Sequence, residues 1–334
     1  MDTKYFPSIE AINKASEVLE EILEPTPFKK NDNLSDMYEA NVYLKREDLQ
    51  MVRSYKIRGA YNKIRSIAPE NLQNGIVCAS AGNHAQGVAF SCSKLQIKGS
   101  IFMPTTTPKQ KIEQVRMFGK EFIEIVLTGD TFDAANSAAI AYAEENAMTF
   151  IPPFDDPKVM EGQGTIGKEI LAQTNVKLDY IFVPIGGGGL ASGLGSYIRQ
   201  MSPDTKIIGV EPGGAPCMKA AIEAGETVRL EHIDKFVDGA AVQKAGTLTY
   251  EVCKEVLDDI VVVPEGAVCT TIIQMYNKSA QSAESSDAPP GYHSGIPHSS
   301  HSGSIWRDPG SVPVSRGTPG HVRIPWAVPA PQCS

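Results

Sequence analysis

Strand-like runs of four to six residues recur along this chain with helical stretches between most of them, and that alternation limits the architecture more than any other feature. The runs are Asn41–Lys45, Ile76–Ala79, Ser100–Met103, Phe122–Leu127, Tyr180–Ile185, Ile207–Glu211 and Ile260–Val263. Helical patterns fall at Lys109–Phe118, Phe132–Asn146 and Gly164–Gln173, with another from about Gly59 to Ile67. Ser8 is placed to cap a first helix, whose stripe of Ile9, Ile12, Leu19, Ile22 and Leu23 ends near Glu24, before Pro25 and Pro27. Short continuous apolar strands separated by helices predict an α/β fold with a mostly parallel, doubly wound sheet. Ligands in such sheets bind beyond the carboxyl ends of the strands, so the strand–loop–helix junctions are where function is to be sought.

Composition narrows the class. With 42% hydrophobic and 21% charged residues in 334, the chain can bury a core, and whole-chain disorder is excluded. A net charge of −8 argues against a broad basic surface for nucleic acid. No apolar run approaches the roughly 18 residues of a membrane span, and Met1–Tyr5 lacks the apolar region of a secretory leader. The six cysteines include no C-x-x-C pair, so neither a disulfide framework nor a zinc site is expected. A soluble cytoplasmic protein is the expectation. Residues 281–334 differ from the rest: they hold 9 of 23 prolines and both tryptophans but no Lys, Leu, Met, Phe or Asn, which predicts a disordered low-complexity tail. His293, His298 and His301 lie close together there, but without an acidic or thiol partner they do not define a metal site.

Three junctions carry candidate chemistry. In Arg53-Ser54-Tyr55-Lys56-Ile57-Arg58-Gly59-Ala60, a lysine opens a helix between two arginines; those positive neighbours and partial burial are expected to lower its pKa and make it a Schiff-base nucleophile. A solvated basic helix start fits the same residues. In Ser80-Ala81-Gly82-Asn83-His84, a strand end passes into a helix start whose N–H groups suit a carboxylate or phosphate, although Gly and Asn are also ordinary turn residues. In Gly186-Gly187-Gly188-Gly189-Leu190, four glycines between a strand and an apolar helix allow close backbone approach to an anion. Gly186, Gly188 and Ala191 also fit G-x-G-x-x-A, with Glu211 near the position of a ribose-binding acid, so a nicotinamide oxidoreductase stays open at this loop.

Together the three junctions are the parts needed to hold pyridoxal phosphate. Over residues 5–280 the chain resembles the fold-type II pyridoxal-phosphate enzymes, and within them the biosynthetic threonine dehydratases (threonine ammonia-lyases). The resemblance rests on Lys45-Arg46-Glu47-Asp48, Ser54–Ala60, Ser80–Gly87, Glu161-Gly162-Gln163-Gly164-Thr165 and Gly186–Leu190. It implies two doubly wound parallel-sheet domains of the tryptophan synthase beta type: a larger cofactor domain from 1–47 and 148–280, and a smaller substrate-carboxylate domain from 48–147. It implies that Lys56 binds pyridoxal 5'-phosphate as a Schiff base and moves the α-proton, that Tyr55 packs beside the ring, and that Asn83 bonds its phenolic oxygen. Gly186, Gly187, Gly188, Gly189 and Leu190 would cradle the phosphate, and Ser80, Gly82, Asn83 and His84 the substrate carboxylate. The implied reaction, the first step of isoleucine biosynthesis, converts L-threonine to 2-oxobutanoate and ammonia, with serine as a secondary substrate. The implied partners are a small amino acid and further copies of the same chain, with no nucleic acid and no membrane.

Three departures qualify the resemblance. Ala81 stands where serine racemases have a second serine, so elimination is expected over racemisation. Cys217 replaces the Asp that completes a racemase cation site with Glu211, so no metal is expected there. The family continues into a further strand and a Ser-Gly-Gly-Asn loop whose serine meets the pyridine nitrogen. Here Ser294-Gly295 and Ser302-Gly303 are not followed by Gly-Asn, so the C-terminal strands are expected to be missing and the end of the chain replaced from about residue 281. Either a working lyase or a cofactor-binding, catalytically impaired remnant is compatible with that ending.

Overall fold

The computed structural model describes residues 5–286. Its helices are α1 (Ile9–Glu20), α2 (Asp32–Tyr38), α3 (Lys56–Arg65), α4 (Asn83–Leu95), α5 (Lys109–Gly119), α6 (Phe132–Glu145), α7 (Pro157–Gln173), α8 (Gly189–Met201), α9 (Cys217–Ala224), α10 (Thr247–Val256) and α11 (Glu265–Ser286). Its strands are β1 (Phe28–Lys30), β2 (Tyr43–Lys45), β3 (Ile76–Ala79), β4 (Gly99–Met103), β5 (Ile123–Leu127), β6 (Thr149–Phe150), β7 (Tyr180–Pro184), β8 (Lys206–Pro212) and β9 (Asp259–Val263). Two parallel sheets form, in the orders β5-β4-β3-β6 and β7-β8-β9, as the alternation of strands and helices predicts. The antiparallel ribbon of β1 and β2 was not expected, because Phe28-Lys29-Lys30 is too short and too charged to register as a strand.

The first sheet is covered on both faces, which is why β3 and β4 are buried without interruption. Ile76 and Cys78 pack with Ala85, Val88 and Cys92 of α4 and with Ile112 and Val115 of α5. Their neighbours Val77 and Ala79 pack on the opposite face with Ala139 and Ala143 of α6. In the second sheet, Val183, Ile207 and Ile260 join Leu194 and Ile198 of α8, Met218 of α9, and Tyr250 and Cys253 of α10. Tyr180 and Phe182 of the edge strand β7 stack on each other at 6.3 Å and remain about half exposed.

The helix expected at Gly164–Gln173 begins seven residues earlier, at Pro157, with the Asp156 carboxylate accepting the N–H groups of Lys158 and Val159. Glycines at 162, 164 and 167 weaken the propensity signal, yet they are what lets α7 pack tightly between α3 and α8. A Cβ on Gly162 would lie 2.6 Å from the Arg58 carbonyl, and one on Gly193 of α8 would lie 2.1 Å from the Met160 carbonyl. Helix α11 runs to Ser286, into the first six residues of the stretch expected to form the low-complexity tail. The rest of that expectation, with His293, Ser294, His298, His301 and Ser302, lies outside the described residues. No helix among the described residues is long and apolar enough to cross a membrane.

The α7–α8 contact generates a test. Gly193→Ala forces backbone apart at a fully buried crossing and is expected to cost about 1–3 kcal/mol, read as a lowered urea midpoint with an unchanged slope.

Candidate active site

Lys56 is the first residue of α3, and the structure places its amine indoors. The side chain is only partly exposed, and Nζ donates to the Pro153 carbonyl at 3.0 Å, with the Tyr55 ring centroid 5.6 Å away. Burial lowers its pKa from the usual 10.5 to about 8. The expected help from flanking arginines is corrected by the geometry. Arg53 is exposed, and Arg58 is turned into the protein, where it bonds Glu47, Thr165 and Glu169 at 2.6–3.0 Å. Its charge is neutralised there, so desolvation alone carries the Lys56 shift. Burial by itself would raise the Glu169 carboxyl, but hydrogen bonds and charge from Arg58 and Lys45 outweigh it and hold Glu169 below the ordinary carboxylate range.

The loop after β3 lies against the same place. Gly87 of α4 abuts the start of α3: a Cβ there would meet Ile57 N and the Lys56 carbonyl carbon at 3.1–3.2 Å. Ser80 Oγ accepts the Gly82 N–H at 3.2 Å and shapes the bend, and Asn83 stands exposed at the first position of α4. His84 is buried, with Nε2 3.0 Å from the Ile151 carbonyl. Burial first, and then the positive charge of Lys56, lower its pKa to about 3, so the ring is neutral and its Nε2 carries the proton. With its ring engaged, His84 has only its backbone N–H to offer an anion at this helix start.

The third junction is a cup. Gly188 has φ +94°, and a Cβ on it would strike Met218 Cε at 2.6 Å and Thr249 at 2.9 Å. A Cβ on Gly187 would lie 2.4 Å from the Phe154 ring. Among the described residues, no N–H from Gly186 to Leu190 donates to a protein acceptor, and Gly189 opens α8, so these donors gather at a helix N-terminus. Glu211 is not available to a ribose: it is fully buried, and its two oxygens accept the Met218 and Lys219 N–H groups at 2.8 Å, closing the N-terminus of α9. Cys217 is likewise engaged, its Sγ donating to the Gly186 carbonyl.

A six-residue connection, 151–156, joins the three junctions. Ile151 meets His84, Pro153 meets Lys56, and Phe154 underlies Gly187 and Gly189. Asp155 accepts the N–H groups of Thr247, Leu248 and Thr249 at the start of α10, while Asp156 caps α7 and pairs with Lys63. Sequence reasoning missed all of these, because Ile151 and Pro153 act through backbone carbonyls and the others through partners distant in sequence. The one readable signal was the pair Asp155-Asp156 just before a helix-starting proline.

An amine held neutral near pH 8, beside two anion-accepting helix starts, fits a phosphorylated aldehyde cofactor. Comparison with known proteins agrees. The family model for pyridoxal-phosphate dependent enzymes matches residues 19–288, and the chain belongs to that family. It is 57% identical over 282 residues to the biosynthetic L-threonine dehydratase IlvA of Halalkalibacterium halodurans, covering 84% of this chain and 68% of that one. Among solved structures, it matches the processed form of threonine deaminase isoform 2 from Solanum lycopersicum with TM-score 0.72 and 41% identity, over 78% of this chain and 76% of that one. Maize serine racemase matches with TM-score 0.77 and 29% identity, over 81% of each chain.

The lowered pKa sets a pH-dependent outcome. Below about 8 the Lys56 amine is protonated and unreactive, so its labelling by an acylating reagent in the cofactor-free chain should rise with a midpoint near 8. Exposed lysines should rise near 10.4; peptide mapping across a pH series distinguishes the two. Removing the buried clamp with Arg58→Gln should cost about 3–5 kcal/mol of stability, measured by denaturant unfolding, because Glu47 and Glu169 lose their counter-charge.

Proposed function

We propose that this chain is a threonine ammonia-lyase, converting L-threonine to 2-oxobutanoate and ammonia and accepting serine more slowly. The observation that carries the reading is the Lys56 amine, lowered to about 8 and held at 3.0 Å by the Pro153 carbonyl where the Asn83 and glycine loops converge. The similarity to dehydratases and deaminases of threonine supports the substrate. The cofactor, when bound, supplies an electron sink that makes loss of the α-proton feasible. The chain's own residues do the rest. Lys56 holds the cofactor and, as a neutral amine, takes the α-proton. The backbone of Gly186, Gly187, Gly188, Gly189 and Leu190 receives the phosphate, with Tyr55 beside the ring. Ser80, Gly82, Asn83 and the backbone of His84 bind the substrate carboxylate at the positive end of α4, and Asn83 also orients the cofactor's phenolic oxygen. Loss of the β-hydroxyl with a proton leaves an enamine, which takes up water to give the keto acid and ammonia.

Ala81 has no proton to exchange on the second face of the substrate, which favours elimination over the racemisation named for the maize neighbour. The same reading assigns residues 1–47 and 148–280 to the cofactor-bearing part and 48–147 to the carboxylate-binding part, and takes the working form as a cytoplasmic homo-oligomer. A second reading, a chain that binds cofactor but turns over poorly, is favoured by the exposed aromatic face of the edge strand β7.

Borohydride reduction of the yellow protein, followed by peptide mapping, should place the pyridoxyl label on Lys56; a label on another lysine overturns the assignment. Threonine-dependent keto-acid formation separates the two readings. In competition, threonine should be preferred over serine by no more than the 10–200-fold that one methyl in an apolar pocket supplies.

A further inference from the structure

The four glycines of the cup differ from an ordinary flexible loop in one respect: each of their carbonyls is held. Cys217 Sγ of α9 donates to Gly186 O at 3.4 Å. Thr249 Oγ1 of α10 donates to Gly187 O at 2.6 Å, where the Gly246 N–H also arrives at 3.3 Å. Cys253 Sγ of α10 donates to Gly188 O at 3.7 Å, alongside the Ser192 N–H at 2.9 Å. Ser192 Oγ donates to Gly189 O at 3.2 Å. Thr249 and Cys253 lie four residues apart on α10, one turn along the same face, so a single helix reaches two successive carbonyls.

In a trans peptide the C=O of one residue and the N–H of the next point in opposite directions. Carbonyls of Gly186, Gly187 and Gly188 drawn toward α9 and α10 therefore turn the N–H groups of Gly187, Gly188 and Gly189 the other way, together. Without those donors, the Gly187 and Gly188 carbonyls keep only the Gly246 and Ser192 N–H groups, and three glycine peptides in a row have no side chain to fix their orientation. Because Thr249, Cys253 and the residues from Gly187 to Leu190 are buried, water does not replace a donor missing from Gly187 or Gly188.

We propose that Thr249, with Cys253 and Cys217 in support, is a positioning residue that pre-sets the glycine N–H groups for a phosphate dianion, so that the cup is formed before the ligand arrives. This rests on the reading of Gly186–Leu190 as the phosphate site. Thr249 is the principal member, because its hydroxyl makes the short bond, whereas the thiols are weak donors. Asp155 serves the same arrangement by capping α10 through the N–H groups of Thr247, Leu248 and Thr249.

The test is a comparison of pyridoxal 5'-phosphate with pyridoxal, which lacks the phosphate but presents the same aldehyde to Lys56. Both are titrated into the full chain and into Thr249→Val, which keeps the branched shape, and Thr249→Ser, which keeps the hydroxyl. Thr249→Val should weaken the phosphate ester about tenfold and leave pyridoxal within about twofold, with Thr249→Ser close to the parent. Should Thr249→Val not be recovered folded, Cys253→Ala is read by the same ratio, with an expected loss of two- to threefold, on the order of a weak donor's share. Equal loss for both ligands means a general loosening of α10 and overturns the proposal, as does an unchanged preference for the phosphate ester in the valine variant. A parent chain with no preference for the phosphate ester overturns the phosphate-site reading itself, and the proposal with it.

Discussion

Arg58 is the group on which the placement of the site depends. Its side chain is buried and offers five N–H donors, and five contacts use them: two on Glu47, two on Glu169 and one on Thr165. Lys45 adds a second cation against Glu169, with its remaining donors on the Thr26 carbonyl and Gln173. Two cations and two carboxylates thus meet inside the protein with their hydrogen bonds satisfied, the condition under which buried charge is tolerated. The clamp fixes α3 against α7 two residues beyond Lys56, on a helix whose Gly59 already permits backbone-close packing against Val159. A lysine on a loop would sample many positions; one at the start of a helix held this way cannot.

That rigidity passes on through the connection 151–156. It leaves β6, presents the Ile151 and Pro153 carbonyls to His84 and Lys56, sets Phe154 under the glycine loop, and enters α7 through the Asp156 cap. Parts that come from both parallel sheets are thereby registered on one short stretch of chain. Its carbonyls are acceptors only. Facing an amine and an imidazole, they determine where those groups point without competing for a proton.

Much of this was legible before the structure. Ile76–Ala79 was read with its observed ends, and the other parallel strands except the two-residue β6 to within a residue or two, because buried strands are mostly apolar and easily recognised. The Ser80–His84 and Gly186–Leu190 junctions stood out for a related reason: Gly, Ser and Asn at strand–helix turns are conspicuous between apolar runs. What escaped was whatever acts through backbone or through pairing at long range. The start of α7 was missed because glycine counts against a helix locally, while the close crossing that requires glycine is visible only in three dimensions. Arg58 was misjudged for the same reason. Adjacent in sequence to Lys56, it was expected to act on it by charge, but its partners lie at 47, 165 and 169, and they cancel the charge before it can act.

The consequence for the chemistry is that the low proton affinity of Lys56 comes from its surroundings rather than from a neighbouring cation. A lysine depressed by an adjacent arginine would be sensitive to salt and to any anion near that arginine. One depressed by desolvation keeps its lowered pKa as long as the site stays closed to water. Near pH 8, a neutral amine that donates one N–H to Pro153 retains its lone pair on the side away from that carbonyl, available to an aldehyde carbon. His84, neutral for the same reason, adds no positive charge beside it. The attraction for anions is then left to backbone N–H groups at the starts of α4 and α8, which cannot lose a proton. On the proposed assignment, nucleophile and anion site work over the same pH range, the first by being uncharged and the second by being unable to titrate.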